Sequence, residues 1–596
     1  MTEEKRLKQI PYGISDYDIF SEENYYYVDK TRYIRNIEEK GRYLFFIRPR
    51  RFGKSLFLSI LEDYYDIAQK DRFDFFFEGT DIHRHPTEER NKYLIFKLNF
   101  SRVNSNVEVV ERAFLNHIKS TALYFIKKYK KLLDIDIEDV KDEFRSSLSA
   151  TELMNSLLDF CWGQNQKIYI IIDEYDNFAN TILSTAGQNI YHDITHGEGF
   201  LRSFFNVIKG GTTGSGAAIS RLFMTGVSPI TLDDVTSGFN IAKNISLDSD
   251  INEILGFTRT EVETAVNYYR QTGKIKHSTP ELMEIMGRFY NHYRFALHAE
   301  TDLFNPVQVL YFLDEYMKES QIPESLIDRN VRMDYQKLRH LIVIDQKGKP
   351  KTNGNFSKLQ QIIEKGSVHS IIEKSFPLSG LMRTGNFVSL LYYFGLLSIR
   401  GTDEENNTIL AIPNESIKHL YYDYIQETSE EIGLLTIDPD KYTELMNDMA
   451  YRGQWLPLVD YIAGRMEASL SLRDLMTREK ALQVFWNVYL GLSDLYIVHS
   501  EKEMNQGFSD LVLEPWLVQY PNLKYSYVIE IKYMSPSSVD AEGVQERIRT
   551  LAEEAETQLR QYSADERFQK IIGKTKLKKL ILVFLGHRLV YKDEVH

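Results

Sequence analysis

The chain has 596 residues, 43% of them hydrophobic and 26% charged, with a formal net charge of −13. That length exceeds one ordinary core, so roughly two to four domains are expected, and the acidic balance excludes indiscriminate coating of nucleic acid while leaving room for local basic clusters such as Arg48–Arg51, Lys127–Lys131, Lys347–Lys351 and Lys574–Lys579. One cysteine, Cys161, rules out an intrachain disulfide, the first residues lack the apolar core of a signal peptide, and no run approaches the roughly 18 apolar residues that span a bilayer, so a cytoplasmic protein with no membrane partner is expected.

In chain order, residues 1–41 carry Pro11-Tyr-Gly-Ile and Tyr25-Tyr-Tyr-Val-Asp29-Lys-Thr31. The second reads as a helix start with Asp29 or Thr31 as cap, in a segment suited to packing beside a nucleotide base. An apolar run, Arg42-Tyr-Leu-Phe-Phe-Ile47, then enters the basic loop Arg48-Pro-Arg-Arg-Phe-Gly-Lys-Ser55, and Ser55 opens the amphipathic run Leu56 to Leu61. Strand, loop and helix with Gly-Lys-Ser at the junction form a phosphate cradle. Amides of Arg51, Phe52 and Gly53 and the helix dipole attract the phosphates, Lys54 reaches the outer ones, and Ser55 holds Mg2+. Arg48 stands where that motif has its first glycine, so the tripeptide needs support from elsewhere in the chain.

Support comes from Lys167-Ile-Tyr-Ile-Ile-Ile-Asp173-Glu174, a buried-strand pattern ending in two carboxylates. Asp173 is expected to hold the magnesium through water and Glu174 to polarise the attacking water. Tyr93 to Phe100 reads as a further buried strand, Val107 to Lys131 and Ala150 to Trp162 as helices, Gly210 to Gly216 as a flexible loop, and Arg221 to Ser228 as a strand whose Thr225 sits where an outer phosphate is sensed. Strands alternating with helices predict an α/β domain with a mainly parallel sheet. From about residue 250 the pattern turns helical; Arg294, on or beside a helix, is a candidate phosphate contact from a lid or a plain surface arginine. Asn305-Pro306 marks a break or a helix start. Residues 307–476 are helix-rich, with Leu390 to Pro413 reading as a helix running into a two-stranded wing, or as an ordinary α+β connector, and Lys347 to Gly354 as an exposed loop. No internal repeat is visible.

The pattern changes again from 477. A helix over Lys480 to Leu492 precedes strands at Leu495–His499, Gly507–Glu514 and Tyr525–Tyr533, a long helix near Val539 to Tyr562 and a strong strand at Lys578–Leu585. Glu530 and Lys532, two apart on one strand, share a face. With Asp510 on the neighbouring strand they would place two carboxylates and an ammonium in one pocket. Asp510 and Glu530 supply hard oxygen ligands for Mg2+ or Mn2+, and Lys532 orients or deprotonates a water: equipment for cutting a phosphodiester. An ordinary cross-strand ion pair is the bland alternative. Gln558 and Tyr562 share one helical face that would line the same groove or simply pack.

Together the two constellations resemble the prokaryotic AAA-ATPase-like family with a C-terminal PD-(D/E)XK nuclease-like domain. The resemblance rests on Pro11-Tyr-Gly-Ile, Tyr27-Val-Asp-Lys-Thr31, the Arg48 to Ser55 loop, Ile172-Asp-Glu-Tyr-Asp176, Met224-Thr-Gly-Val-Ser228 and Tyr293-Arg-Phe295, then Gly507-x-x-Asp510, Glu530-Ile-Lys532 and the Gln558 helix. The family itself uses the Arg48 form of the loop. It usually has a glutamate on the first nuclease helix, where Gln483 falls, and an arginine beside the glycine, where Phe508 stands. The resemblance implies a P-loop ATPase core over 1–250, a helical lid over 251–320, a helix-rich connector with a candidate winged helix over 321–476, and a restriction-endonuclease-like α/β domain over 477–596. It further implies ATP and Mg2+ as cofactors, nucleic acid (DNA rather than RNA) as partner, self-association as an option and defence against foreign DNA as a role. The competing expectation is an ATP-driven switch, or a nucleic-acid-binding module, with an inactive nuclease-like domain; a metabolic kinase, third, lacks any visible second-substrate motif. Arg202 is a candidate arginine finger by position alone.

Overall fold

The computed structural model describes residues 7–133, 137–186, 188–214, 217–230, 241–331, 354–380, 383–431, 437–468, 479–504, 507–536, 543–562 and 572–596. The Lys347 loop, Ser215 and Gly216 and the side chain of Phe508 lie outside them. The chain forms two compact units, residues 1–337 with 368–414, and residues 338–367 with 415–596. Among the described residues no helix is long and apolar enough to cross a membrane.

The first unit is built on a five-stranded sheet in the order β2-β3-β4-β1-β5, comprising β1 (Tyr43–Ile47), β2 (Leu94–Asn99), β3 (Ile168–Asp173), β4 (Ile219–Gly226) and β5 (Lys243–Asn244). Every pairing in it is parallel. Parallel strands are covered on both faces and read as unbroken apolar runs; all six residues of β3 are buried. Consecutive strands need crossovers, supplied here by helices Lys54–Tyr65, Val110–Leu133, Ala150–Gly163 and Phe200–Gly210. Because β1 lies between β4 and β5, the loop after β1 opens where the strand order reverses, the crevice that receives ligands in open α/β sheets.

Two helices that follow, Arg259–Arg270 and Thr279–Tyr290, each start with a complete capping box, Thr258 with Glu261 and Ser278 with Glu281. Pro306 opens the next helix, Pro306–Glu319, with Asn305 as its cap, which settles the Asn-Pro break as a helix start. Residues 384–411 form a helix running into an antiparallel pair, but the sheet has three strands where two were expected: helix Thr384–Tyr393 leads into β7 (Ser398–Thr402), antiparallel to β8 (Thr408–Ala411), with β6 (Ser367–Ser370) on the far side of β8. Near the N-terminus one expectation is corrected. Helix Tyr33–Lys40 starts after Arg32 with no side-chain cap. Asp29 instead accepts from the amides of Thr31 and Asp81, and the Thr31 hydroxyl from the amide of Ile82, so this motif pins a later helix start.

The second unit carries a mixed sheet in the order β13-β12-β11-β10-β9. Its strands are β9 (Tyr496–Met504), β10 (Gly507–Pro515), β11 (Tyr525–Met534), β12 (Lys576–Leu585) and β13 (Arg588–Val595). Only β11 and β12 are parallel, and helix Val544–Tyr562 makes that crossover, burying Leu551, Ala555 and Leu559 against Val512, Val528 and Val583. Helix Glu479–Leu490 precedes β9.

Candidate functional site

The loop after β1 turns twice through left-handed backbone, at Arg51 (φ 68°) and at Gly53 (φ 92°). Only glycine takes the second conformation without strain. Alternating turns of this kind aim successive amides into one concavity, an anion nest at the start of helix Lys54–Tyr65. Lys54 Nζ lies 2.9 Å from the carbonyls of both Arg48 and Pro49. Burial pushes its ammonium down to about 8, against the pull of Asp173, Glu174 and Asp176. The Ser55 hydroxyl donates to Asp173 Oδ2 at 2.7 Å. Asp173 Oδ1 is buried with no hydrogen-bond partner, as is the Thr225 hydroxyl at the end of β4. Glu174 follows with φ 49° and accepts from the Asn177 amide at 2.7 Å; burial, then the charge of Asp173, raises its carboxyl.

The loop, Lys54, Ser55 and Glu174 border a cleft of about 530 Å³ in the first unit; Thr225 is not among the residues that line it. Its other walls are Pro11, Gly13–Ser15, Tyr26–Val28 and Lys30 near the N-terminus, with Leu255–Phe257, Pro306, Val307 and Leu310. Lys30 closes one side by pairing with both oxygens of Glu261 at 2.7 Å. Arg51, Phe52, Gly53, Lys54, Ser55 and Glu174 all line the cleft, with Asp173 behind Ser55. Arg294 does not line it. Its guanidinium is held by Asp302 at 2.8 and 3.0 Å, and its amide donates to the Ser398 hydroxyl. Sequence reasoning gave no role to Asp176, whose carboxylate accepts from the amides of Val227 and Ser228 and so shapes the end of β4. A Cβ on Gly226 would sit 2.4 Å from the Tyr175 ring, which accounts for glycine in Met224-Thr-Gly-Val-Ser228.

In the second unit the antiparallel register pairs Leu511 with Ile529. Its continuation sets Asp510 opposite Glu530 on one face, and Asp510 Oδ2 accepts from the Ile531 amide at 2.7 Å. Lys532 Nζ reaches Glu530 Oε1 at 3.0 Å and Gln558 Oε1 at 2.7 Å. Gln483 donates to Asp510 Oδ1 at 2.7 Å. The three expected residues are therefore together, and Gln558 meets them through Lys532; the side chain of Tyr562 lies outside the described residues. Burial raises both carboxyls, and Glu530 adds to the effect on Asp510. Lys532 keeps its proton more firmly than usual because Glu530 and Asp510 outweigh its burial. Sequence reasoning missed Glu479, four residues before Gln483 and so on the same helix face. Burial raises its carboxyl, and it lies near enough to Lys532 and the Tyr533 amide to feel both. The signal was available: a carboxylate one turn before Gln483.

Residues 11–236 match the family model described as predicted AAA-ATPase, and residues 477–594 match that of the PD-(D/E)XK nuclease superfamily. The chain carries an AAA-ATPase-like domain and a PD-(D/E)XK nuclease-like domain. Over 332 residues it is 25% identical to an uncharacterized protein in the vnfD 5′ region of Azotobacter chroococcum mcd 1, covering 54% of this chain and 56% of that one. The chain thus spans about half the length of that relative. Among solved structures it is similar to a Walker-type ATPase of Pyrococcus abyssi, with TM-score 0.35 and 13% identity over 70% of this chain and 98% of the other. It is also similar to the Aeropyrum pernix ORC1 protein in complex with DNA, with TM-score 0.24 and 10% identity over 66% and 92%.

Both domains have donors that fit a divalent cation. In the ATPase-like domain, Asp173 Oδ1 has no hydrogen-bond partner although buried, and the Ser55 hydroxyl stands beside its other oxygen. In the nuclease-like domain, Glu530 Oε2 is likewise buried without a partner, next to a second carboxylate. A buried, unpaired acceptor is costly unless something binds it. Among the described residues no three His, Cys, Asp or Glu side chains converge as a complete metal cage. The donor set is therefore the Asp510–Glu530 pair, with Glu479 acting at longer range.

Proposed function

We propose that the chain hydrolyses ATP in its AAA-ATPase-like domain and that this activity controls a metal-dependent nuclease centre at Asp510, Glu530 and Lys532, acting on DNA in preference to RNA. The observation that carries the reading is that each domain holds a buried carboxylate oxygen with no hydrogen-bond partner, Asp173 Oδ1 near the Ser55 hydroxyl and Glu530 Oε2 near Asp510. In the first, Lys54 leaves the Arg48 and Pro49 carbonyls for the outer phosphates, and Gly53 and neighbouring amides grip the rest. Ser55 and Asp173 would hold Mg2+, which supplies neutralisation of phosphate charge. Glu174, fixed by Asn177 and made more basic by its burial, accepts the proton of the attacking water. Glu174→Gln is therefore expected to keep nucleotide affinity while lowering turnover by about 10²–10⁴-fold, read by steady-state phosphate release.

At the second site Asp510 and Glu530 would hold Mg2+ or Mn2+, which supplies an activated water and charge stabilisation at the phosphate. Lys532, fixed between Glu530 and Gln558, orients that water. Supercoiled plasmid, single-stranded DNA and RNA oligonucleotides incubated with each metal, with and without ATP, test the reading. Metal-dependent cleavage of DNA, modulated by ATP and lost in Asp510→Asn, is expected. Intact substrates in every condition, with folded protein, refute it. One observation favours a second reading, an ATP-driven switch with a silent nuclease-like domain: both oxygens of Asp510 are engaged, by Gln483 and by the Ile531 amide. In that case metal titration finds no site at Asp510. Defence against foreign DNA would suit an active pair of sites, and phage plating with and without Asp510→Asn checks it.

A further inference from the structure

Arg48 stands where phosphate loops ordinarily have glycine, and its side chain turns into the core. It is 1% exposed. One guanidinium nitrogen donates to the carbonyls of Ile47 and Ser246 at 3.0 and 2.6 Å, and the other lies 3.4 Å from that of Ile251. The rings of Phe46 and Phe295 cover it, each centroid 4.4 Å from the guanidinium carbon. Among the described residues no carboxylate pairs with it, so a buried cation rests on carbonyls and ring faces alone, a costly arrangement. Its own carbonyl receives the Lys54 ammonium.

The partner ring is part of a bridge. Phe52, in the phosphate loop, packs edge-on against Tyr293 and Phe295, at 5.0 and 5.1 Å. The other side of this segment is bound to the wing. The Phe295 carbonyl accepts from the Tyr392 hydroxyl at 2.9 Å, and the Arg294 amide donates to Ser398 in β7 at 2.8 Å. Arg294 and Arg400, the latter also in β7, share Asp302. Of the residues in this chain of contacts only Phe52 lines the cleft.

Building on the nucleotide reading above, we propose that Arg48 is a positioning residue that couples the phosphate loop to the β7–β8 hairpin through Tyr293–Phe295. When Lys54 leaves the Arg48 carbonyl for a phosphate, the loop resettles around Arg48 and Phe52. Because both are packed on Phe295, the seat of β7 changes with them. By reciprocity, loosening the wing side alters how tightly the loop grips nucleotide, although among the described residues none of the wing lines the cleft.

The test is Mg-ADP binding to the full chain by calorimetry, with Arg48→Lys, Tyr392→Phe, Ser398→Ala and the Arg48→Lys/Tyr392→Phe pair. Lysine keeps the charge but cannot span three carbonyls in a plane. Each single variant is expected to shift Kd by about three- to tenfold. The double variant is expected to shift it no further than the worse single. Hydrogen exchange at Ser398–Thr402 is expected to slow when Mg-ADP is added. A purely structural role moves neither the non-additivity nor that exchange. Folded Tyr392→Phe and Ser398→Ala proteins with unshifted Kd overturn the coupling even if Arg48→Lys fails to fold. So do shifts that multiply independently, or exchange at β7 that ignores nucleotide. An unsubstituted chain that binds no Mg-ADP overturns the nucleotide reading itself.

Discussion

Lys54→Ala is expected to weaken ATP binding at least about a hundredfold, and calorimetry on the folded variant checks it. The ammonium stands on the first residue of the helix that the loop opens, and in the resting loop it donates to two carbonyls that the phosphates would replace. Hydrogen bonds to charged groups contribute about 1.5–3 kcal/mol each, and a tenfold change in Kd is about 1.4 kcal/mol, so losing two such bonds accounts for the factor. No neighbour substitutes for it. Lys30, the other lysine of the cleft, is held by both oxygens of Glu261. Arg50 and Arg51 retain a longer-range attraction that salt screens. The fold should survive, because the variant removes a buried cation whose proton is already loosely held. Unchanged affinity would dismiss the assignment of this loop as a phosphate cradle.

The phosphate loop was legible because its two supports are local. Gly53-Lys54-Ser55 and the apolar run before it specify strand, turn and helix within a dozen residues, and the carboxylate at the end of β3 announces itself by ending an unbroken apolar strand. Arg48 was not legible in the same way. Its partners, Ser246, Ile251 and Phe295, lie about 200 residues or more downstream. Arg294 misled for the opposite reason. A cation beside a lid invites a phosphate, but Asp302 lies eight residues away and claims it. β13 escaped notice because Arg588-Leu-Val-Tyr-Lys-Asp-Glu-Val595 is an edge strand, largely half-exposed and charged, without the apolar signal of its neighbours.

The nuclease-like centre shows the limit of spacing rules more sharply. Glu530-x-Lys532 is cheap in sequence, and only the register of β10 against β11 brings Asp510 to it. The helix before these strands spans Glu479–Leu490, and placement by sequence points to Gln483 where an acid is expected, although Glu479 stands one turn earlier. Residues four apart share a face, so sequence fixes the face and leaves the turn open. The structure separates the two by partner: Gln483 is hydrogen-bonded to Asp510, whereas Glu479 is set toward Lys532 and the Tyr533 amide.

Asp510→Asn should abolish cleavage and, in metal-free buffer, raise the melting temperature of the domain. Asp510 and Glu530 are 9% and 2% exposed and face each other across one register position; burial, then Glu530, raises the Asp510 carboxyl to about 8, and of the pair only Glu530 is bonded to Lys532. Asparagine needs neither a buried charge nor a proton taken up on folding, so it removes that cost while keeping the shape. Its carbonyl oxygen still accepts from the Ile531 amide, and Gln483 can reverse its own amide to accept from the new NH2, so neither hydrogen bond is lost. The relief is on the order of 1 kcal/mol, the usual scale of a single stabilising change. Added Mn2+ should reverse the ranking. Its binding stabilises the unsubstituted protein by about 2.7 kcal/mol at a hundredfold excess over Kd, and it finds a depleted donor set in the variant. Thermal unfolding of both proteins, each with chelator and with Mn2+, gives the four values required. A variant that is less stable than the unsubstituted chain without metal, or that gains as much from Mn2+, would show that Asp510 and Glu530 are a structural pair and that the cation goes elsewhere.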